Sequence, residues 1–250
     1  MPLPGLAWNQ LPLLADSPQM LPAGQIQFEV GLQFRSHENF AFSAFSEGFA
    51  RNLLSIPTLG VKVGLGPLAE VELTYEVLCV EERDLLIKEQ WKSGDLAFFT
   101  KVHILDEGRR RPGLGIKFGA KLPNASESYR VGTNETDLAI VGLFEKTFAA
   151  FRLTANLGFL NLGDPYHNAA QDDLLSYSLA CTLPGRQDLT YTIEVAGQAG
   201  GVSHNERASA VFHLYFQQAA LTWNLAARAG LLGNSEAWGL AGGVRWTFDF

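Results

Sequence analysis

The chain has 250 residues, a formal net charge of −7 and a pI near 5.2, a balance that argues against nucleic acid as a partner. With 47% hydrophobic residues and a mean hydropathy of +0.04 it reads at first like a water-soluble protein. A transmembrane β-barrel averages out the same way, because only alternate residues of its strands face lipid. No window approaches the ~20 continuous apolar residues of a membrane helix, and the two cysteines are too few for a disulfide framework.

Residues 1–22 are rich in proline with scattered leucine, and read as an irregular periplasmic N-terminal extension that folds into or under the mouth of the β-rich remainder of the chain. They lack the basic n-region and apolar core of a signal peptide, so export requires a leader that has already been removed. From residue 23 the pattern changes. Gln25, Gln27, Glu29, Gly31 and Gln33 alternate with Ile26, Phe28, Val30, Leu32 and Phe34, the period of two that a strand requires. Residues 35–55 read as a long connection. In it Phe42, Phe45, Phe49 and Leu53, with Phe40 before them, share one face of a helix, either as an apolar lid at the outer mouth or as a small helix packed on the rim.

Strands are expected at about 56–65, 68–80, 93–105, 112–122, 135–145, 149–162, 173–183, 189–199, 207–217 and 219–232. The last stretch, Ala237 to Phe250, sets Trp238, Leu240, Val244, Trp246, Phe248 and Phe250 on one parity. The count is twelve, an even number. Connections after odd strands are mostly long and polar, and those after even strands are short. Outer-membrane barrels show this asymmetry, with tight periplasmic turns and longer outer loops.

One parity of these strands carries the charge: Glu29, Lys62, Glu70, Glu72, Glu76, Asp95, Lys101, Lys117, Lys121, Arg152, Glu194, Arg228 and Arg245. The other carries almost none. A charge at mid-depth on a lipid face costs ~2–4 kcal/mol, so in a membrane barrel the charged parity lines the lumen. Acids dominate the first three strands and bases the fourth to seventh, arcs expected to face each other across a narrow lumen. Either a selective pore or a filled, self-neutralising interior fits them. Cys79 and Cys181 fall on the lipid parity and read as free thiols.

Catalytic signals are weak. Ser36-His37 and Ser203-His204 lie in outer loops without a surrounding signature, and adjacency alone does not make a nucleophile and base. His103 and His213 share the lumen parity but lack metal-ligand spacing. No catalytic residue, metal or cofactor is assigned.

The middle of the chain carries a resemblance. SGDLAFFTKVHILDEG, RRPGLGIKFGAKLP, GTNETDLAIVGLFEK and RLTANLGFLNLGD, between about 93 and 163, are similar to a family of outer-membrane transporters named for the meta-pathway of phenol degradation. Gly94-Asp95, Lys121-Leu122-Pro123, Gly132-Thr133-Asn134 with Asp137, and Asn156-Leu157-Gly158 stand at that family's strand starts and ends; the Gly132 re-entry has one residue more than the pattern. The match covers about a third of the chain. NQLPLL and LPAGQIQFEVGLQF also resemble another, uncharacterised group of outer-membrane barrels. The chain stops on an aromatic strand resembling the closing strand of such barrels, where the terminal aromatics, here Trp246, Phe248 and Phe250, serve as the assembly signal. The resemblance implies an outer-membrane location and passive uptake of small, often aromatic or hydrophobic compounds.

The expectation is therefore an all-β, twelve-stranded antiparallel transmembrane β-barrel over residues 23–250, monomeric, in a Gram-negative outer membrane. Its partners would be outer-membrane lipid, the barrel-insertion machinery during assembly and an unidentified small solute. A filled structural or interaction barrel is the alternative, and a lipid-modifying hydrolase at the rim the third reading.

Overall fold

A computed structural model describes residues 14–39, 50–82, 90–125, 132–164, 170–186, 188–201 and 205–249. The expected lid residues Phe40, Phe42, Phe45 and Phe49, together with Phe250 and Ser203-His204, lie outside the described residues.

Twelve strands succeed one another in the chain: β1 (Gln25–Asn39), β2 (Ala50–Gly64), β3 (Ala69–Glu82), β4 (Gln90–Leu105), β5 (Gly113–Leu122), β6 (Asp137–Thr147), β7 (Arg152–Gly163), β8 (Gln171–Pro184), β9 (Leu189–Ala199), β10 (Arg207–Gln218), β11 (Leu221–Gly230) and β12 (Trp238–Asp249). Each pairs antiparallel with its sequence neighbours, and β1 closes on β12, so the sheet has no free edge. Closure satisfies every ladder, which is what allows a sheet to cross hydrocarbon. The seam runs from Gln25 opposite Asp249 to Ser36 opposite Trp238. Phe28 stacks on Phe248 across it with ring centroids 5.5 Å apart, and Phe34 meets Trp238 at 5.3 Å.

Connections after even strands are two to seven residues long and those after odd strands seven to fourteen. Gly24, leading into β1, and the end of β12 lie at the turn end, the end that faces the periplasm in outer-membrane barrels.

The alternation places its apolar parity outside. Phe28, Leu59, Leu73, Phe98, Phe118, Ile140, Leu157, Leu179, Ile193, Phe212, Leu225 and Leu240, one from each strand, are all exposed. A ring of exposed large hydrophobics around a barrel that buries most of its strand charges is the inverse of a protein built for water. It marks a transmembrane barrel of the outer-membrane type.

Residues 35–55 are not one long connection. β1 continues to Asn39 and β2 begins at Ala50. Two β-bulges hide this from a period-two reading, and a third reshapes β4, because each extra residue flips the parity beyond it. One falls between Arg35 and Glu38, so that Ser36 and Glu38 turn inward. A second falls between Ser55 and Thr58 and contains Pro57, which has no N–H to give a ladder. The third, between Tyr75 and Val77 against Ser93, accommodates Gly94-Asp95 and aims Asp95 into the barrel. β1 to β4, at 14 to 16 residues, stand taller than β5 to β7 at 10 to 12.

Cys79 and Cys181 are not joined in a disulfide. Cys79 is on the outward parity as expected, yet it is buried near the loop end of β3.

Candidate lumen and its internal segment

Of the thirteen charged residues assigned to the lumen, Glu29, Lys62, Glu70, Glu72, Glu76, Asp95, Lys101, Lys117, Lys121, Glu194 and Arg245 are buried inside the barrel. Arg228 is nearly so, and Arg152 is 22% exposed near the turn end. The two arcs do not face each other across open space. They abut, and most pairs run around the wall between neighbouring strands. Lys62 on β2 stands opposite Glu72 on β3, with 3.6 Å between Nζ and Oε1. Glu70 stands opposite Lys101 on β4 at 2.8 Å. Lys121 on β5 stands opposite Asp137 on β6 at 2.7 Å and also reaches Asp95 at 3.1 Å. Glu29 stands opposite Arg245 across the seam at 3.5 Å. Direct cross-strand opposition of unlike charges is favourable in any sheet and more so in a dry interior.

One opposition breaks this rule. Lys101 on β4 and Lys117 on β5 are direct partners with both ammonium groups inside. Lys117 reaches past β4 to Glu72, 2.6 Å away, and its Nζ sits 5.1 Å from the centre of the Phe99 ring. The remaining positive charge is met from the N-terminal segment. Asp16 places Oδ1 at 3.4 Å from Lys101 Nζ and Oδ2 at 3.1 Å from Lys117 Nζ. Three lysines (62, 101, 117) and two glutamates (70, 72) leave the wall with one excess positive charge, which Asp16 cancels.

Residues 14–22 therefore lie inside the barrel. They enter at the turn end, where Pro22 O crowds the inner face of Gly64 so closely that no side chain fits there. The Leu21 amide donates to Glu70 at 2.7 Å, and Gln19 Nε2 donates to Glu145 at 2.5 Å. Ser17 O accepts from Lys101 at 3.2 Å and Pro18 O contacts His103 Nδ1 at 3.2 Å. The Ala15 amide then donates to Glu194 on the far wall at 2.5 Å, and Leu14 packs with Ala196, Val211 and Tyr215. The segment crosses the lumen from the β3–β5 wall to the β9–β10 wall. It joins no strand ladder. Cavities of about 290 and 420 Å³ flank it near the β1–β5 mouth, and one of about 390 Å³ lies by the β6–β9 turns, lined by Arg152, Thr182 and Thr190 among others.

Towards the loop end a second knot forms. Glu38 accepts from Arg35 at 2.6 Å and Arg207 at 2.9 Å, with Arg51 at 3.9 Å, while Arg228 pairs with Glu236 at 2.7 Å. Asp95 accepts from the amides of Asn124 and Ala125, drawing the start of the β5–β6 loop inward. An apolar strip of Ala97, Phe99, Ala139, Leu160, Leu162 and Leu174 also faces inside. The sequence reading missed Asp16, Glu38, Arg51 and Arg207. Asp16 has no periodicity around it, and Glu38 and Arg51 lay in the supposed loop.

The histidines serve separate acids: His213 contacts Glu194 at 3.4 Å and His103 contacts Asp106 at 2.9 Å. Among the described residues no group of three or more His, Cys, Asp or Glu is placed to hold a metal ion. Ser36 Oγ lies 2.8 Å from His37 Nδ1, but also donates to Asn52 Oδ1 at 3.3 Å. A hydroxyl has one proton. Given to Asn52, it leaves His37 as the donor to Ser36, the opposite of a general base's role.

No family model matches the chain, and no curated protein matches it. Solved structures do. An outer-membrane channel from Pseudomonas putida F1 superposes with a TM-score of 0.70 over 92% of this chain and 97% of that chain, at 13% identity. OccAB3 from Acinetobacter baumannii and the outer-membrane protein opdK from Pseudomonas aeruginosa align over 90% of this chain and 98% of theirs, at 9% and 10% identity, with TM-scores of 0.42 and 0.40. The first likeness establishes the barrel fold. The other two are too different in shape to add to it.

Proposed function

We propose that the protein is a monomeric, passive small-molecule channel of a bacterial outer membrane, closed at its periplasmic end by its own residues 14–22. The observation that carries this is the nature of the closure. A segment outside the ladders fills the turn end through a few polar contacts and one apolar anchor, and the strands pair around the whole barrel without it. Withdrawing it costs no backbone ladder. A barrel filled in this way passes solute only if the filling can leave, and this segment can leave with the wall intact.

Small hydrophobic or aromatic solutes, the class implied by the phenol-degradation resemblance around Gly94-Asp95 and Asn156-Leu157-Gly158, would find the apolar strip from Phe99 to Leu174. Trp246 and Phe248 on the closing strand, with Phe250, are proposed as the signal read by the insertion machinery. The filled-barrel reading draws on the many buried ion pairs.

Single-channel recording in a planar bilayer separates the two. The full chain is expected to give low, intermittent current, and a chain starting at residue 20 a steady conductance several-fold higher. Silence from both, in barrels shown to be folded by heat-modifiable mobility, would favour the filled interior and sink the channel.

A further inference from the structure

We propose that Lys101 and Lys117 form a binding site for one carboxylate group, so that the solutes held in this lumen include small monocarboxylates and Asp16 is an internal ligand occupying their place. The inference rests on the channel reading for its consequence, but not for the site itself.

Four observations carry it. The two lysines are direct cross-strand partners on the inner face, an arrangement that repels unless an anion sits between them. Their surroundings are one negative charge short without the N-terminal segment: Glu70 and Glu72 must serve Lys62, Lys101 and Lys117. The group that completes the count is a carboxylate that divides its oxygens between the two ammonium groups, Oδ1 to Lys101 and Oδ2 to Lys117, as a free carboxylate would. It is brought by a non-strand segment, beside a cavity of about 290 Å³ lined by Lys62, Glu70 and Lys101 together with the segment itself. A wall built to be self-sufficient would carry an acid on β4 or β5 at this level. Here the acid comes on a tether.

A single charge vacancy also sets the stoichiometry. One monoanion neutralises the site, whereas a dicarboxylate brings a second charge with Glu70 and Glu72 already nearby and is disfavoured. A neutral amide of the same shape leaves both ammonium groups buried without an anion.

The test uses the full chain in detergent, with acetate as probe and acetamide and chloride as controls at equal ionic strength. Asp16→Asn removes the internal carboxylate and leaves the two ammonium groups without their shared anion. Acetate is expected to raise the thermal unfolding midpoint of D16N in a saturable way, acetamide not at all, and chloride only as general screening does. Acetate affinity should fall at least about tenfold in D16N/K117M. In the unsubstituted chain, acetate competes with Asp16 and should speed cleavage by an endoprotease that cuts before aspartate, so the proposal remains testable if D16N does not refold. Equal responses to acetate and chloride, or an affinity unchanged by K117M, would overturn the site. Under a KCl gradient D16N should pass anions preferentially. Specific acetate binding without current would leave the carboxylate site standing and remove the channel, while current in D16N without specific acetate binding would do the reverse.

Discussion

Leu157 is the sixth of the twelve residues of β7, hence near the middle of the bilayer, and is 55% exposed on the outer face. In water an exposed leucine can be exchanged for arginine within about ±0.5 kcal/mol. At the midplane of a bilayer the same exchange costs ~2–4 kcal/mol, falling to ~0–1 kcal/mol near the interfaces. At 1.36 kcal/mol per factor of ten, Leu157→Arg should lower the folding equilibrium constant by about thirty- to nine-hundred-fold. Leu183, 39% exposed and one residue from the turn end of β8, is the matched control; Leu183→Arg should cost no more than about fivefold. The assay is reversible guanidinium unfolding from phospholipid vesicles, followed by tryptophan fluorescence, with the native chain as reference. Equal costs at the two positions, or no cost at Leu157, would refute the reasoning that the apolar ring from Phe28 round to Leu240 faces hydrocarbon.

Inside the barrel, Lys117→Met removes a partner from both Glu72 and Asp16 and should destabilise by ~3–5 kcal/mol in the same assay; D16N/K117M, whose two remaining lysines match two glutamates, should recover more than half of that. Gly119 lies directly opposite Phe99, and a Cβ there would strike the Phe98 carbonyl and the Phe99 ring. Gly119→Val should prevent refolding to the heat-modifiable form, whereas Gly66→Ala, at a turn position with open space around it, should not. At the turn end, Glu107 accepts from Lys146 Nζ at 2.7 Å and from the Thr147 amide and hydroxyl at 2.8 and 2.9 Å, clamping the β4–β5 turn to the end of β6. Partial burial pushes its carboxyl up, but these donors outweigh it and hold it below the usual carboxylate range. The clamp's contribution is then complete at neutral pH and lost as pH falls through the depressed value. Glu107→Gln should differ in stability from the native chain at pH 7 and converge with it in strong acid; a difference that persists there would contradict the assignment.

The barrel itself was legible because its commonest signal survives undisturbed in most strands. β5 to β12 keep strict alternation, and the polar parity of Lys117, Lys121, Glu194 and Arg245 points where that alternation says. The loop-end halves of β1 and β2 were not legible, because bulges at Arg35–Glu38 and Ser55–Thr58 reverse the parity and Pro57 reads as a break. Charge pairing was half legible. Sign can be read from one strand at a time, but which lysine meets which glutamate depends on register, and the shear of a closed sheet sets Lys101 against Lys117 rather than against an acid. Asp16 was illegible for a different reason: nothing periodic surrounds it, and its partners are 85 and 101 residues away in sequence.

The tether of Asp16 has a quantitative consequence. Gln25 at the start of β1 is nine positions further along the chain, a reach of about 30 Å when extended. The lysine that Asp16 meets on β4 lies four residues from the turn end, about 14 Å along the strand. The leash is thus long enough to leave the mouth with every strand intact, and short enough to keep the acid within a small volume around it. A ligand held this way has an effective concentration in the millimolar range, independent of how dilute the protein is. Any free carboxylate competes against that fixed local concentration. Under the proposed function the segment would act as a threshold: sparse solutes would leave the barrel shut, and only those abundant or tightly held enough to displace a built-in millimolar rival would open it.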